Sequence, residues 1–229
     1  GIPELLQAVA EKIQRENRFP CSPDQVIATA GAKHAIAMAM EAVLNPGDQV
    51  IILDPSWVSY EPCVQLAGGR AVHHRLNPKT FQLDDSIGDR ITGKTRMIVV
   101  NSPSNPTGAV LEKKSLALVA DLCADYELLV LSDEIYEKLV YGKEHLSLAS
   151  VTDMAERTIT VNGFSKAYAM SVWRLGYAVS PPAIIRQLTN QMDLSAKNLE
   201  FEKAAALRDE ISKLEKNLPV KTRARSGLG

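Results

Sequence analysis

The chain has 229 residues, 45% of them hydrophobic and 23% charged, with a formal net charge of −1. That length encloses one large core or two modest ones, and the near-neutral balance gives no electrostatic reason to expect direct nucleic-acid or membrane binding. The three cysteines (Cys21, Cys63, Cys123) are widely spaced without Cys-x-x-Cys pairing, which points to buried free thiols in a reducing, cytoplasmic compartment and not to a disulfide framework or a zinc site. No apolar run approaches the ~18 residues of a membrane span, and no basic-then-apolar leader opens the sequence. The helical pattern that begins at once at Gly1 is expected of a chain cut from something longer.

Residues 4–17, with Leu5, Leu6, Val9 and Ile13 at helical spacing, predict an amphipathic helix. Val26–Thr29 reads as a short strand, after which Gly31 opens an Ala- and Met-rich helix to about Leu44. Asn45-Pro46-Gly47-Asp48 is a turn. Gln49–Leu53 is a strand, Asp54-Pro55-Ser56-Trp57 a loop, and a helix follows from about Tyr60. Ala71–His74 and Met97–Val100 are strands, the second leading into an Asn- and Pro-rich loop, 101–108. Lys113–Tyr126 predicts a helix, Leu128–Leu131 a buried strand running out at Asp133, and Thr158–Val161 and Leu175–Val179 two further strands.

Strand–helix alternation with continuously apolar strands predicts an α/β domain with a mostly parallel sheet. In such sheets ligands bind beyond the carboxyl ends of the strands. Gly31-Ala32-Lys33, Trp57, Asn105, Asp133 and Lys166 all follow apolar runs, so one rim is expected to gather them into one site.

From about residue 184 the pattern changes. One helical stretch carries Ile185, Leu188, Met192 and Ala196, and a second carries Ala204, Ala205, Leu207, Ile211, Leu214 and Leu218. A helical hairpin with one apolar face is expected, followed by a basic, fraying tail from Pro219. Lys216, Lys221, Arg223 and Arg225 suit a solvated tail better than a phosphate contact.

The polar motifs have a common chemistry. A lysine amine forms a Schiff base with an aldehyde, and pyridoxal phosphate requires such a lysine, a carboxylate on its ring nitrogen and an anchor for its phosphate. Lys166 and Asp133 fit the first two roles, with Tyr136 and Asn105 placed to hydrogen-bond the ring 3′-oxygen. Gly31-Ala32-Lys33, at a helix start, offers backbone N–H groups to a phosphate. Arg174 adds a bidentate clamp, and Trp57 a stacking face. Taken singly, each has a plainer reading: a solvated lysine, a capping aspartate, an ordinary Asn-Pro-Thr-Gly turn, a core tryptophan, a salt-bridged arginine. Their order and spacing together carry the case.

Residues 1 to about 190 resemble the middle of a fold-type-I, class I/II pyridoxal-phosphate-dependent aminotransferase, close to the aspartate/aromatic branch. The resemblance rests on Gly31-Ala32-Lys33, Asn45-Pro46-Gly47-Asp48, Trp57-Val58-Ser59-Tyr60, Asn101–Gly108, Ser132-Asp133-Glu134-Ile135-Tyr136, Val161–Lys166 and Trp173-Arg174-Leu175-Gly176-Tyr177. It implies a three-layer domain over 1–188, with Lys166 as Schiff-base lysine and proton shuttle and Asp133 on the ring nitrogen. It further implies Tyr136 and Asn105 on the 3′-oxygen, Arg174 on the phosphate, Trp57 on the ring, amino acid and 2-oxo acid substrates, and a homodimer. Two departures stand out: Gly163 replaces a common serine three residues before the lysine, and Ser171-Val172 a common Thr-Gly. The family's N-terminal arm and C-terminal small domain, which supplies the arginine for the substrate carboxylate, find no counterpart, so a truncated domain with impaired transfer is expected.

Residues from about 185 to 218 resemble a UVR motif, the hairpin of bacterial excision-repair proteins and some Clp ATPases, on Asn198-Leu199-Glu200-Phe201-Glu202-Lys203-Ala204-Ala205-Ala206-Leu207-Arg208-Asp209-Glu210-Ile211, which sets a hairpin unit over 189–219. That resemblance implies docking to another UVR-containing protein, with 220–229 as a basic tail. Three readings follow. The chain is a pyridoxal-phosphate enzyme with an appendage, an interaction protein with a vestigial enzyme domain, or a chimeric reading frame. The intact lysine, aspartate and arginine favour the first.

Overall fold

In the computed structural model, which describes residues 1–194 and residue 197, the apolar runs assemble into one seven-stranded sheet. Its strands are β1 (Val26–Thr29), β2 (Gln49–Asp54), β3 (Arg70–Arg75), β4 (Thr95–Asn101), β5 (Leu129–Asp133), β6 (Thr158–Gly163) and β7 (Gly176–Val179). The spatial order is β1-β7-β6-β5-β4-β2-β3. Strands β3, β2, β4, β5 and β6 are parallel, and β7 is antiparallel to both β6 and β1. The central strands lack polar alternation because both faces are covered: Val50, Ile51 and Ile52 are all buried, as are Val130 and Leu131.

The flanking helices are α1 (Pro3–Lys12), α2 (Ala32–Val43), α3 (Tyr60–Leu66) and α4 (Lys113–Asp125). Helix α4 buries Leu116, Val119 and Cys123 against Ile51, Ile98 and Val130. Helix α1 buries Val9, Ala10 and Ile13 against Val26, Tyr177 and Val179. Strand register places these two clusters on one face of the sheet. Helix α2 packs on β6 and β7, and α3 on β2 and β3, covering the other face. The expected three-layer α/β arrangement is therefore present. Along β5 the alternation of side chains puts Asp133 on the α2 face and Ser132 on the α1/α4 face.

One element departs from its predicted form. The helix expected over 4–17 is α-helical only to Lys12; Ile13–Asn17 form a wider π-turn, closed by Arg18 at φ 62°. The wider turn accompanies the burial of Lys12 and Asn17 among polar partners described below. The three cysteines are free and buried, as expected, and no helix among the described residues is long and apolar enough to cross a membrane. Residues 182–191 close the compact unit Gly1–Gln191 as a helix with Ile184, Ile185 and Leu188 buried. The hairpin expected over 189–219 lies almost wholly outside the described residues, and the tail over 220–229 lies entirely outside them.

Candidate active site

Strands β4, β5 and β6 end side by side at Asn101, Asp133 and Gly163. Beyond these ends lies a cavity of about 250 Å³. Of the predicted site residues, Ala32, Lys33, Trp57, Asn105, Asp133, Tyr136, Lys166 and Arg174 line it, and Gly31 stands directly behind Arg174.

Asp133 forms the buried floor, with 3% of its surface exposed. Its carboxylate accepts hydrogen bonds from the Tyr60 hydroxyl at 2.7 Å and from the Ile135 backbone N–H at 3.1 Å. Burial nevertheless pushes its pKa up to about 6, outweighing those two bonds, and the charge of Glu134 adds to the rise. The same burial, together with the carboxylate, drives the Tyr60 phenol well above its ordinary value. Among the described residues no cation pairs with Asp133.

The mouth has the opposite character. Lys33, Lys166 and Arg174 are all exposed there. Lys33 Nζ lies 5.0 Å above the Trp57 ring, and Lys166 Nζ lies 5.9 Å from the centre of the Tyr136 ring. Gly31 caps α2 at φ 88°, and a Cβ there would sit 2.5 Å from an Arg174 Nη. Both the positive φ and the arginine require glycine at this position. The guanidinium thus lies against the N-terminus of α2, where free N–H groups concentrate.

The departures noted in the sequence have a structural cause in one case. A Cβ on Gly163 would lie 3.0 Å from Gly176 Cα and 3.0 Å from the Leu175 carbonyl oxygen, so β7 approaches too closely for a serine without a backbone shift. Ser165, two residues later, lines the cavity and places its hydroxyl 3.5 Å from Arg174 Nη1.

Sequence reasoning assigned no role to Tyr60 or Asn101. Tyr60 opens α3 three residues after Trp57, and the two rings meet edge to face at 5.4 Å. Asn101 pairs with Asp133 across β4 and β5, donates to the Asp133 carbonyl at 3.0 Å and accepts from the Asn105 N–H at 2.7 Å. Its position at the end of β4, level with Asp133, was the available signal.

The model of the family "Aminotransferase class I and II" matches residues 1–218. The chain belongs to the class I and II aminotransferase family. Its sequence is 41% identical over 220 residues to an aspartate aminotransferase of Pyrococcus abyssi, covering 93% of this chain and 57% of that protein. It is 44% identical over 192 residues to the aspartate/prephenate aminotransferase of Thermus thermophilus, covering 83% and 49%. A solved Thermus thermophilus aspartate aminotransferase, a single mutant, superposes with a TM-score of 0.83 at 43% identity, over 86% of this chain and 51% of that one. An aromatic aminotransferase from Pyrococcus horikoshii gives 0.81 at 44%, over 84% and 53%. The chain spans about half the length of the curated relatives it matches. The family match runs through the segment that resembles a UVR hairpin.

The cofactor of this aminotransferase family is pyridoxal phosphate. The cavity fits it: a buried carboxylate without a cation at the floor suits a protonated ring nitrogen, and the arginine and helix N-terminus behind Gly31 suit a phosphate.

Proposed function

We propose that the chain serves pyridoxal-phosphate-dependent amino-group transfer between an amino acid and a 2-oxo acid. The observation that supports this most is the polarity of the cavity, with a lone buried anion at one end and three exposed cations at the other. That arrangement matches a ligand with a cationic ring and an anionic tail. Arg174, Ser165 and the backbone N–H groups at Ala32 and Lys33 would hold the phosphate, Asp133 the ring nitrogen, Tyr136 and Asn105 the 3′-oxygen, and Trp57 a ring face.

When bound, the cofactor supplies an aldehyde for the substrate amine and a ring that takes up the electron pair left as the α-proton departs. The side chains do the rest. Lys166, whose amine lines the cavity, would be the group that holds the cofactor aldehyde and that moves the α-proton. Asp133 would face the ring nitrogen and, as its charge partner, would favour its protonated form. Tyr60 donates to the same carboxylate and fixes its orientation.

A second copy of the chain is part of the proposal. Val172 is 91% exposed and Trp173 72% exposed, immediately before Arg174, an apolar surface at the cavity mouth suited to a dimer contact. The alternative, docking of a UVR hairpin to a repair or Clp-type partner, rests on residues 198–211 alone; the family match through residue 218 favours an aminotransferase segment there.

The test is the absorbance spectrum of the protein with pyridoxal phosphate, then borohydride reduction and peptide mapping. A visible band and a reduced adduct confined to Lys166 are expected. Label spread over surface lysines would overturn the assignment.

A further inference from the structure

Asp133 and Tyr136 face the cavity, and the residues that follow each of them do not. Glu134 and Glu137 project from the other side of the same turn into a buried polar network. The turn is closed by a Glu137 N–H bond to the Glu134 carbonyl at 2.9 Å. Asn17 Nδ2 donates to Glu134 Oε2 at 3.0 Å and to Glu137 Oε2 at 2.9 Å, while Asn17 Oδ1 accepts from Lys12 Nζ at 2.6 Å. Lys12 also pairs with Glu137 Oε1. On Glu134, Oε1 accepts from Ser132 at 2.9 Å and from Ser147 at 2.8 Å, and Oε2 meets His145 Nε2 at 3.1 Å.

The acceptors of Glu134, Glu137 and His145 lie within 4.8 Å of one another, a spacing that a divalent cation would accept. Here the Lys12 ammonium and the Asn17 amide already hold those oxygens, so the cluster is a lock and not an ion site. The π-turn at Ile13–Asn17 belongs to the same design, because it carries Asn17 to where both glutamates can be reached; such turns cluster at functional sites.

We propose that Lys12, Asn17, Glu134, Glu137 and His145 form a positioning network that clamps the reverse side of the 133–137 turn and thereby sets the direction in which Asp133 and Tyr136 face the ring. The inference rests on the pyridoxal-phosphate reading of the cavity. Its physical basis is that a buried turn whose four glutamate oxygens all have partners is held rigidly, and that a carboxylate displaced by a fraction of an ångström loses its alignment with a ring nitrogen.

Three variants test it: Asn17→Ala, Asn17→Ser, which retains a donor, and Val119→Ala in the α4 core as a control for lost stability. The first readout is cofactor affinity and the pH midpoint of the visible band. For Asn17→Ala, affinity is expected to fall on the order of tenfold or more, with a shifted midpoint; Asn17→Ser falls between it and the wild type, and Val119→Ala binds as the wild type does. The second readout needs no cofactor. Carbon NMR of the Asp133 carboxyl, which faces Tyr60, the Ile135 N–H, Glu134 and Tyr136, should show a moved titration in Asn17→Ala and an unmoved one in the control. Glu137→Gln takes the place of Asn17→Ala if that variant does not fold. Equal behaviour of network and control variants in the NMR titration overturns the inference. A wild type that binds no cofactor overturns the functional reading instead, and leaves the NMR result to decide this one.

Discussion

Asp133 and Glu134 are neighbours in sequence, both almost wholly buried, yet their surroundings treat them in opposite ways. Burial raises Asp133 to about 6 because two hydrogen bonds are too few to compensate it. Burial would raise Glu134 as well, but His145, Ser147 and Ser132 outweigh it and hold that carboxyl below the usual range. One side of the turn is left electrostatically incomplete and the other is finished. The incomplete side faces the cavity. Burial alone therefore does not mark a functional carboxylate; burial without sufficient partners does.

The sharpest way to break this comparison is to empty the finished side. Glu134→Ala strips Ser132, Ser147, Asn17 and His145 of their common acceptor. A loss of about 3–5 kcal/mol is expected, seen as a fall in Tm of roughly 10 °C in a thermal melt.

The complementary change acts on the incomplete side and has the opposite sign. Asp133→Asn removes a buried charge that has no cation, so at pH 7 the unloaded protein should gain about 1–3 kcal/mol while losing cofactor binding. The pH dependence fixes the sign. A carboxyl raised from 3.8 to about 6 on folding binds its proton more tightly in the folded state. Its favourable contribution is complete below 3.8 and is lost as pH rises to about 6. Glu134, lowered on folding, contributes in the reverse sense: its stability is present above its unfolded value of 4.5 and is lost as pH falls. Denaturant melts of wild type and Asp133→Asn from pH 4 to pH 7 should therefore diverge with rising pH, and parallel curves would refute the assignment.

The smallest expected effect is that of Tyr60→Phe, which removes one of the two donors to Asp133. A loss of cofactor affinity worth about 1 kcal/mol is expected in an equilibrium titration, with the Asp133 titration moving further upward.

The cavity side of the turn was legible in the sequence and the other side was not. Lys166, Asp133, Asn105 and Trp57 each follow an apolar run, and the periodicity of those runs is enough to place them beyond strand ends. Lys12, Asn17, Glu134 and Glu137 carry no such signal, since polar residues in a helix or after a strand are ordinarily solvated. Their burial is a tertiary outcome, and so is the π-turn that interrupts the helix expected over 4–17. Gly163 stands in the sequence only as a departure from a common serine, because the sequence does not show how near β7 lies. The α/β class and most strand boundaries follow from apolar runs, whereas the antiparallel pairing of β7 with β1 and β6 depends on chain segments too distant for any local pattern to report.

That last pairing also has a consequence for how the site comes into being. Gly31 follows β1 and Arg174 precedes β7, so the arginine meets the start of α2 only when these two strands, from opposite ends of the compact unit, lie side by side. Contacts across so long a stretch of chain form late, because the entropy of closing the loop must be met before they contribute. A ribosome-bound chain that has emerged only through β5 already carries Asp133 but has no anion cradle. Capture of a phosphate would then report the pairing of β1 with β7, which needs the chain to have emerged through β7.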